Sequence, residues 1–224
     1  GSTKSNEVKI EGEKSSNVHF AIDFLTGIQK RNLGNKNAQY INVEDKKVVV
    51  IGGGDTAMDC VRTSVREGAT SVKCLYRRDE ANMPGSKKEV VNAKEEGVEF
   101  VFNVSPKSIK VENDLAVGVE LLETSMSKSD TSGRQKVVLI EGSEYLEDAD
   151  VIILALGFSP EVPSFLKDLN VETNSWGGIV VDSNFKTSNK KVYAGGDCQR
   201  GAHLAVTAAV DGREAAKTII KELL

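Results

Sequence analysis

Short, wholly apolar runs alternate along this chain with stretches in which apolar residues recur every three or four positions. That rhythm predicts strand–helix–strand units. Val48-Val49-Val50-Ile51 is apolar and β-branched at every position, the pattern of a parallel strand covered on both faces. From Asp55 to about Glu67, Ala57, Met58, Val61 and Val65 fall at helical spacing, and Gly68 ends the run. Val72-Lys73-Cys74-Leu75-Tyr76 reads as a second strand. Together they form a β-α-β unit of about 30 residues, the length a right-handed crossover needs. Ser86–Glu96 predicts a second helix stopped by Gly97, and Val98–Phe102 a third strand. Ahead of this unit, residues 1–15 read as polar loop. Val18, Ala21, Ile22, Leu25 and Ile28 then predict a helix from Val18 to about Lys30, ended by Asn32-Leu33-Gly34-Asn35. Beyond it, Ile109–Ile140 alternates β-like runs with the polar loop Ser125–Gly133, as a meander or hairpin would. Val151–Gly157 is another buried strand, Ile179–Asp182 and Val192–Asp197 are short ones, and Ala202–Leu224 is a long Ala-rich helix. The expected class is α/β, a Rossmann-like parallel sheet with an inserted β-meander.

The 224 residues suffice for one large domain or two small ones, and 39% hydrophobic with 28% charged residues is ordinary for a globular protein. A net charge of −4 and 5% aromatic residues offer no footprint for nucleic acid. No apolar run approaches the length of a membrane span and no signal-peptide core opens the chain, so a cytoplasmic setting is expected. The three cysteines, Cys60, Cys74 and Cys198, make no Cys-x-x-Cys pair, which supports neither a disulfide scaffold nor a zinc site. The chain opens on Gly1-Ser2 without an initiator Met, which suggests a piece cut from a longer protein.

The candidate chemistry sits at Gly52-Gly53-Gly54-Asp55-Thr56-Ala57, directly after a strand and before a helix. In such a turn Gly52 permits the bend, Gly54 lets the backbone approach a pyrophosphate, and Ala57 keeps the helix close to the sheet. The free N–H groups at the helix start then face the phosphates. A glycine-rich turn without a ligand is the alternative. The end of the second strand bears on the cofactor. An NAD site carries an acid there, whereas this chain has Arg77-Arg78, which suits the 2′-phosphate of NADPH. Both arginines could instead be a solvated patch paired with Asp79 and Glu80. Near the C-terminus, Gly195-Gly196-Asp197 ends a strand just before the last helix. Its aspartate could bond polyol hydroxyls or simply cap that helix. No Tyr-x-x-x-Lys pair is present, and His19 and His203, the two histidines, are assigned no role. No residue is required as a general acid or base.

These segments also carry a family likeness. Residues 50–63 and 76–89, the run Ala194–Ala202, and the segments Val206-Thr-Ala-Ala and Asp211–Ala216 resemble the small subunit of glutamate synthase. The resemblance covers nearly the whole chain. It implies an NADPH domain inserted into a discontinuous FAD domain: 44–156 for NADPH, with 1–43 and 157–224 as parts of the FAD domain. It further implies that Ala155-Leu156-Gly157 passes near the nicotinamide, that Gly196 and Asp197 meet the ribityl chain of FAD, and that the Thr207 backbone approaches the flavin. In that family a cysteine-rich iron–sulfur region and the first FAD segment come earlier, and a large subunit makes glutamate from glutamine and 2-oxoglutarate. The chain alone is therefore expected to bind NADPH, to lack stoichiometric FAD and to be inactive. Thioredoxin-reductase-like proteins share the layout but need a redox Cys-x-x-Cys inside the NADPH domain. Two other readings stay open: a non-catalytic nucleotide-binding module, and an electron-transfer subunit serving a different partner.

Overall fold

The computed structural model describes residues 1–127 and 135–224. Its contacts divide the chain into two compact units: Glu7–Gly157, and Gly1–Asn6 together with Phe158–Leu224.

The larger unit is built on a five-stranded parallel sheet. Its strands are β2 (Val18–Phe20), β3 (Lys47–Ile51), β4 (Ser71–Tyr76), β5 (Glu99–Phe102) and β10 (Val151–Leu154), in the order β2-β10-β3-β4-β5. Three helices cover one face: α1 (Ala21–Asn32), α2 (Asp55–Arg66) and α3 (Lys87–Glu95). An antiparallel sheet covers the other, with β6 (Val104–Glu112), β7 (Leu115–Met126), β8 (Val137–Leu139) and β9 (Tyr145–Asp148). The two-residue period of a strand explains the layering. Val48 and Val50 of β3 pack among Phe24, Met58 and Val61 of the helices, while Val49 and Ile51 pack among Ile109, Val119 and Leu121 of the antiparallel sheet. Each such side chain, fully buried, contributes about 1.5–3 kcal/mol. Between α2 and α3, Arg62 pairs with Glu89 and, at 2.8 Å, with Glu96, which Arg66 also holds at 2.8 Å. The guanidiniums hold the Glu96 carboxyl down to about 2.

The smaller unit contains a two-stranded ribbon, β1 (Lys4–Ser5) with β11 (Phe158–Ser159), and the helices α4 (Phe165–Asp168), α5 (Asp197–Arg200) and α6 (Ala205–Leu223). Its apolar centre is Leu166, Val171, Ile179 and Ala194. Helix α6 buries Asp211 and Ala215.

Several expectations are corrected. The Val18–Lys30 helix begins only at Ala21, because β10 pairs in parallel with Val18-His19-Phe20 and draws them into the sheet. Lys4–Ser5 is strand rather than loop. The expected strands at Ile179–Asp182 and Val192–Asp197 are reduced to isolated bridges, Thr173 with Ile179 and Lys186 with Tyr193. The buried strand expected over Val151–Gly157 stops at Leu154. The antiparallel sheet starts at Val104, ahead of the expected Ile109. Most of the Ser125–Gly133 loop lies outside the described residues. Residues 7–43 fall with the 44–156 segment, since β2 joins its sheet and α1 packs on its helical face.

Candidate functional site

The glycine turn lies at the carboxyl end of β3, beside the end of β10. In open α/β sheets ligands bind at this kind of place, outside the strand ends where the order switches direction. Gly52 has φ +151°, and a Cβ there would sit 2.2 Å from the Ala155 carbonyl oxygen. The end of β3 is held on both sides: toward β10 the Ala155 N–H donates to Ile51 O at 2.9 Å, and toward β4 the Gly52 N–H donates to Leu75 O at 3.1 Å. A Cβ on Gly53 would lie 2.4 Å from the Tyr76 ring. Both glycines are therefore explained by the fold.

Gly54 is different. It is the N-cap of α2, with φ −90° and ψ 179°, a conformation open to any residue. A Cβ there would meet nothing within 4 Å. Serine or aspartate would cap the helix better, so the protein itself gives no reason for glycine here. Ala57 donates its N–H to Gly54 O at 2.9 Å, and the N–H groups of Asp55 and Thr56 ahead of it have no acceptor within the helix and are available to an outside anion. Thr56 is half-buried, and Ala57 is fully buried against the sheet, as a close-packed helix start requires. These residues fit a pyrophosphate.

Asp55 does not face the open side alone: its Oδ1 accepts the Ser86 N–H at 2.7 Å. The Met83–Ser86 segment runs against the turn, and the Gly85 N–H donates to Gly53 O at 2.9 Å. Tyr76 supports the same loop, its hydroxyl donating to Asn82 O at 2.9 Å, and Asp79 Oδ1 accepts the Asn82 N–H at 2.9 Å. The sequence reading missed this fastening. Its one local signal was Pro84-Gly85-Ser86, a turn followed by a helix-capping residue.

Arg77 and Arg78 follow β4 directly. Their carbonyls are pinned, Arg77 O by the Thr124 hydroxyl at 3.0 Å and Arg78 O by the Asn103 N–H at 3.1 Å. Neither guanidinium has an ion pair among the described residues, and Arg78 Nε is buried without a partner. Glu80 is engaged by Lys94 at 2.7 Å, so the pairing with Asp79 and Glu80 that would make the arginines a neutralised patch is not formed. Ala155 is buried, Leu156 packs on the inner face beside the antiparallel sheet, and Gly157 is exposed with φ +80°.

In the smaller unit Gly196 takes φ +74°, with its N–H donated to Asp211 Oδ2 at 2.9 Å. Asp211 is only 2% exposed and also accepts both Arg200 Nε (2.7 Å) and Arg200 Nη2 (2.5 Å). The Arg200 guanidinium holds the Asp211 carboxyl below the usual aspartate range. This brace for the Gly195-Gly196 turn was also missed in the sequence. Asp197 Oδ1 accepts the His203 N–H at 3.3 Å, fastening the turn ahead of α6. The Thr207 N–H is already donated to Leu204 O at 3.0 Å, and its hydroxyl lies 2.6 Å from His203 Nδ1.

A parallel sheet with a phosphate-type glycine turn at its switch point defines a nucleotide-binding α/β protein. Residues 1–212 match the pyridine nucleotide-disulphide oxidoreductase family, and the chain belongs to that family. It is similar to the glutamate synthase [NADPH] small chain of Escherichia coli K12, 46% identical over 231 residues that cover 100% of this chain and 49% of that protein. The corresponding chain of Azospirillum brasilense is 45% identical, covering 98% and 46%. The NADPH-Fe(3+) oxidoreductase subunit beta of Geobacter sulfurreducens is 33% identical, covering 100% and 36%. The chain thus spans about half the length of the glutamate synthase relatives it matches. Among solved structures, Mycobacterium tuberculosis FprA in complex with NADPH superposes with a TM-score of 0.79 at 17% identity, covering 100% of this chain and 62% of that one. Thioredoxin reductase of T. acidophilum gives 0.71 at 23%, covering 99% and 63%. These last two likenesses show the fold alone. Among the described residues no helix is long and apolar enough to cross a membrane.

Proposed function

We propose that this chain is the NADPH-binding portion of a flavin-dependent oxidoreductase of the glutamate synthase small-subunit type. Gly54 carries the reading: a helix-capping position where the protein leaves room for a side chain and the sequence withholds one. A pyrophosphate against the first turn of α2 accounts for that glycine. The unpaired Arg77 and Arg78 then take the 2′-phosphate, and Ala155-Leu156-Gly157 borders the nicotinamide. When bound, NADPH supplies a hydride, and the protein's part is to hold and orient it.

In this reading the NADPH domain is the larger unit, Glu7–Gly157, with residues 7–43 joined to 44–156, and residues 1–6 with 158–224 belong to a discontinuous FAD domain. Asp197 and Gly196 meet the ribityl chain. Leu204 and Val206, 64% and 71% exposed, offer apolar surface beside the Ala205 and Val206 N–H groups at the start of α6, which suits a flavin ring with a carbonyl edge. The larger assembly would pass electrons through FAD and iron–sulfur clusters to a glutamate synthase large subunit in the cytoplasm. The chain by itself is proposed to have no turnover, because it offers one strand–glycine–helix unit and two dinucleotides would need one each. The relative named NADPH-Fe(3+) oxidoreductase subunit beta keeps a second reading in view, an electron-transfer subunit serving another acceptor.

The test is calorimetric. NADPH should bind at least about 10-fold more tightly than NADH, a difference of about 1.4 kcal/mol. Replacing both Arg77 and Arg78 with alanine should bring the two affinities together. Equal affinities in the unmutated chain would overturn the assignment of the arginines.

A further inference from the structure

The peptide joining Gly53 to Gly54 has no side chain on either flank to hold it, and glycine accepts both signs of φ. It is trans, so its C=O and N–H point in opposite directions. One orientation offers the phosphates an N–H donor; the flipped one offers a carbonyl oxygen and repels them. The structure holds the first. Gly53 O accepts the Gly85 N–H at 2.9 Å, which commits the Gly54 N–H to the side away from Met83–Ser86. Glycine at 85 favours this approach, since a Cβ there would be crowded, 3.1 Å from Gly53 O and 3.4 Å from Met58 Cγ.

One residue on, the Ser86 N–H donates to Asp55 Oδ1 at 2.7 Å. Asp55 is the first residue of α2, beside the place where the phosphates go, and its charge opposes theirs. Electrostatics alone makes a carboxylate there a handicap. Its bond to Ser86 gives it a reason to be present. We infer that Met83–Ser86 is a peptide-orientation lock for the dinucleotide site, and that Asp55 is its latch, a positioning residue that does not touch the dinucleotide. The inference rests on the NADPH reading above.

The two accounts of Asp55 predict opposite signs. If it is only a charge near phosphates, Asp55→Ala tightens binding. If it is a latch, Asp55→Ala weakens NADPH and NADH by the same factor, about 10-fold, the worth of one hydrogen bond to a charged group. The ratio between them stays as Arg77 and Arg78 set it. Asp55→Asn keeps an acceptor oxygen and should bind at least as well as the unmutated chain. Ser86→Pro removes the donated N–H from the other side. Ser86 already has φ −54°, close to the value proline imposes, so the backbone tolerates the change. It leaves the carboxylate free beside the phosphates and should weaken binding more than Asp55→Ala does. Amide exchange at Gly85 should speed up in Asp55→Ala and Ser86→Pro but not in Asp55→Asn, with or without dinucleotide. Unchanged or tighter binding by Asp55→Ala overturns the inference, as does an equal loss in Asp55→Asn. An unmutated chain that binds neither dinucleotide overturns the NADPH reading and this inference with it, whereas a binding chain with an indifferent Asp55→Ala overturns the inference alone.

Discussion

Gly54→Val should abolish NADPH binding and leave a folded protein, with a Tm lower by only about 2–4 °C. The backbone at Gly54 lies in the extended region, where a β-branched residue is comfortable. A valine side chain would start into space free of protein atoms. The helix loses some capping, because valine is a poorer N-cap than glycine, at a cost of about 1 kcal/mol. The space the side chain would enter is the space proposed for the pyrophosphate. Displacing that group from the first turn of α2 removes several charge-assisted bonds at once, for a loss of at least about 100-fold, or 2.7 kcal/mol. Titration with NADPH and a thermal melt on the same sample check both halves of the statement. Undiminished affinity would place the dinucleotide elsewhere.

Gly52→Ala, two residues away, should do the reverse and cost fold rather than ligand contacts. The added Cβ would be 2.2 Å from Ala155 O and 2.9 Å from Ala155 C, atoms of the backbone at the end of β10 that cannot swing aside. At φ +151° the new residue is also strained. Strand β3 is paired on both sides, with β10 and with β4, so any displacement is passed to the middle of the sheet. Overpacking and strain together should destabilise the protein by about 3 kcal/mol or more. For a unit of this size that corresponds to a fall in Tm of about 6–12 °C. An unshifted melting curve would mean that β10 can move away from β3, contrary to the close registry at Ile51 and Ala155.

The contrast between the two glycines shows what could be read from the sequence. The β3-α2-β4 unit was legible because its signals are local: an apolar run, a glycine turn, one helical face, Gly68. The structure puts Gly52 at the bend off β3, Gly54 at the start of α2 and Ala57 against the sheet, where the motif had them. It did not show that Gly52 answers to Ala155, more than a hundred residues away in the chain. Val18-His19-Phe20 was misread for the same reason. Their spacing continues the helix that follows, and only the open edge of β10 makes them a strand. Ile179–Asp182 failed in the opposite sense: strand-like residues found no partner strand and settled for single bridges. At the site, Arg77 and Arg78 were visible because an acid was missing where one would be expected. The bonds from Gly85 and Ser86 to the turn were not, since a backbone N–H leaves no mark in a sequence.

The burial of two cysteines turns the thiols into clocks. Cys60 and Cys74 are fully enclosed in the larger unit, where Cys74 donates its Sγ–H to Gly52 O at 3.3 Å. Burial pushes both thiols up, Cys74 to about 12. Neither can form a thiolate at neutral pH, and neither can be reached by a reagent while the sheet and helices stay together. Cys198, in the smaller unit, is only half-buried. A mild alkylating agent should therefore modify Cys198 first. Cys60 and Cys74 should follow together, at the rate at which the larger unit opens. Three mass increments in one time course would then time the larger unit against Cys198, without any mutation, and bound dinucleotide should slow only the Cys60–Cys74 pair. Alkylation of Cys74 as fast as Cys198 would contradict this.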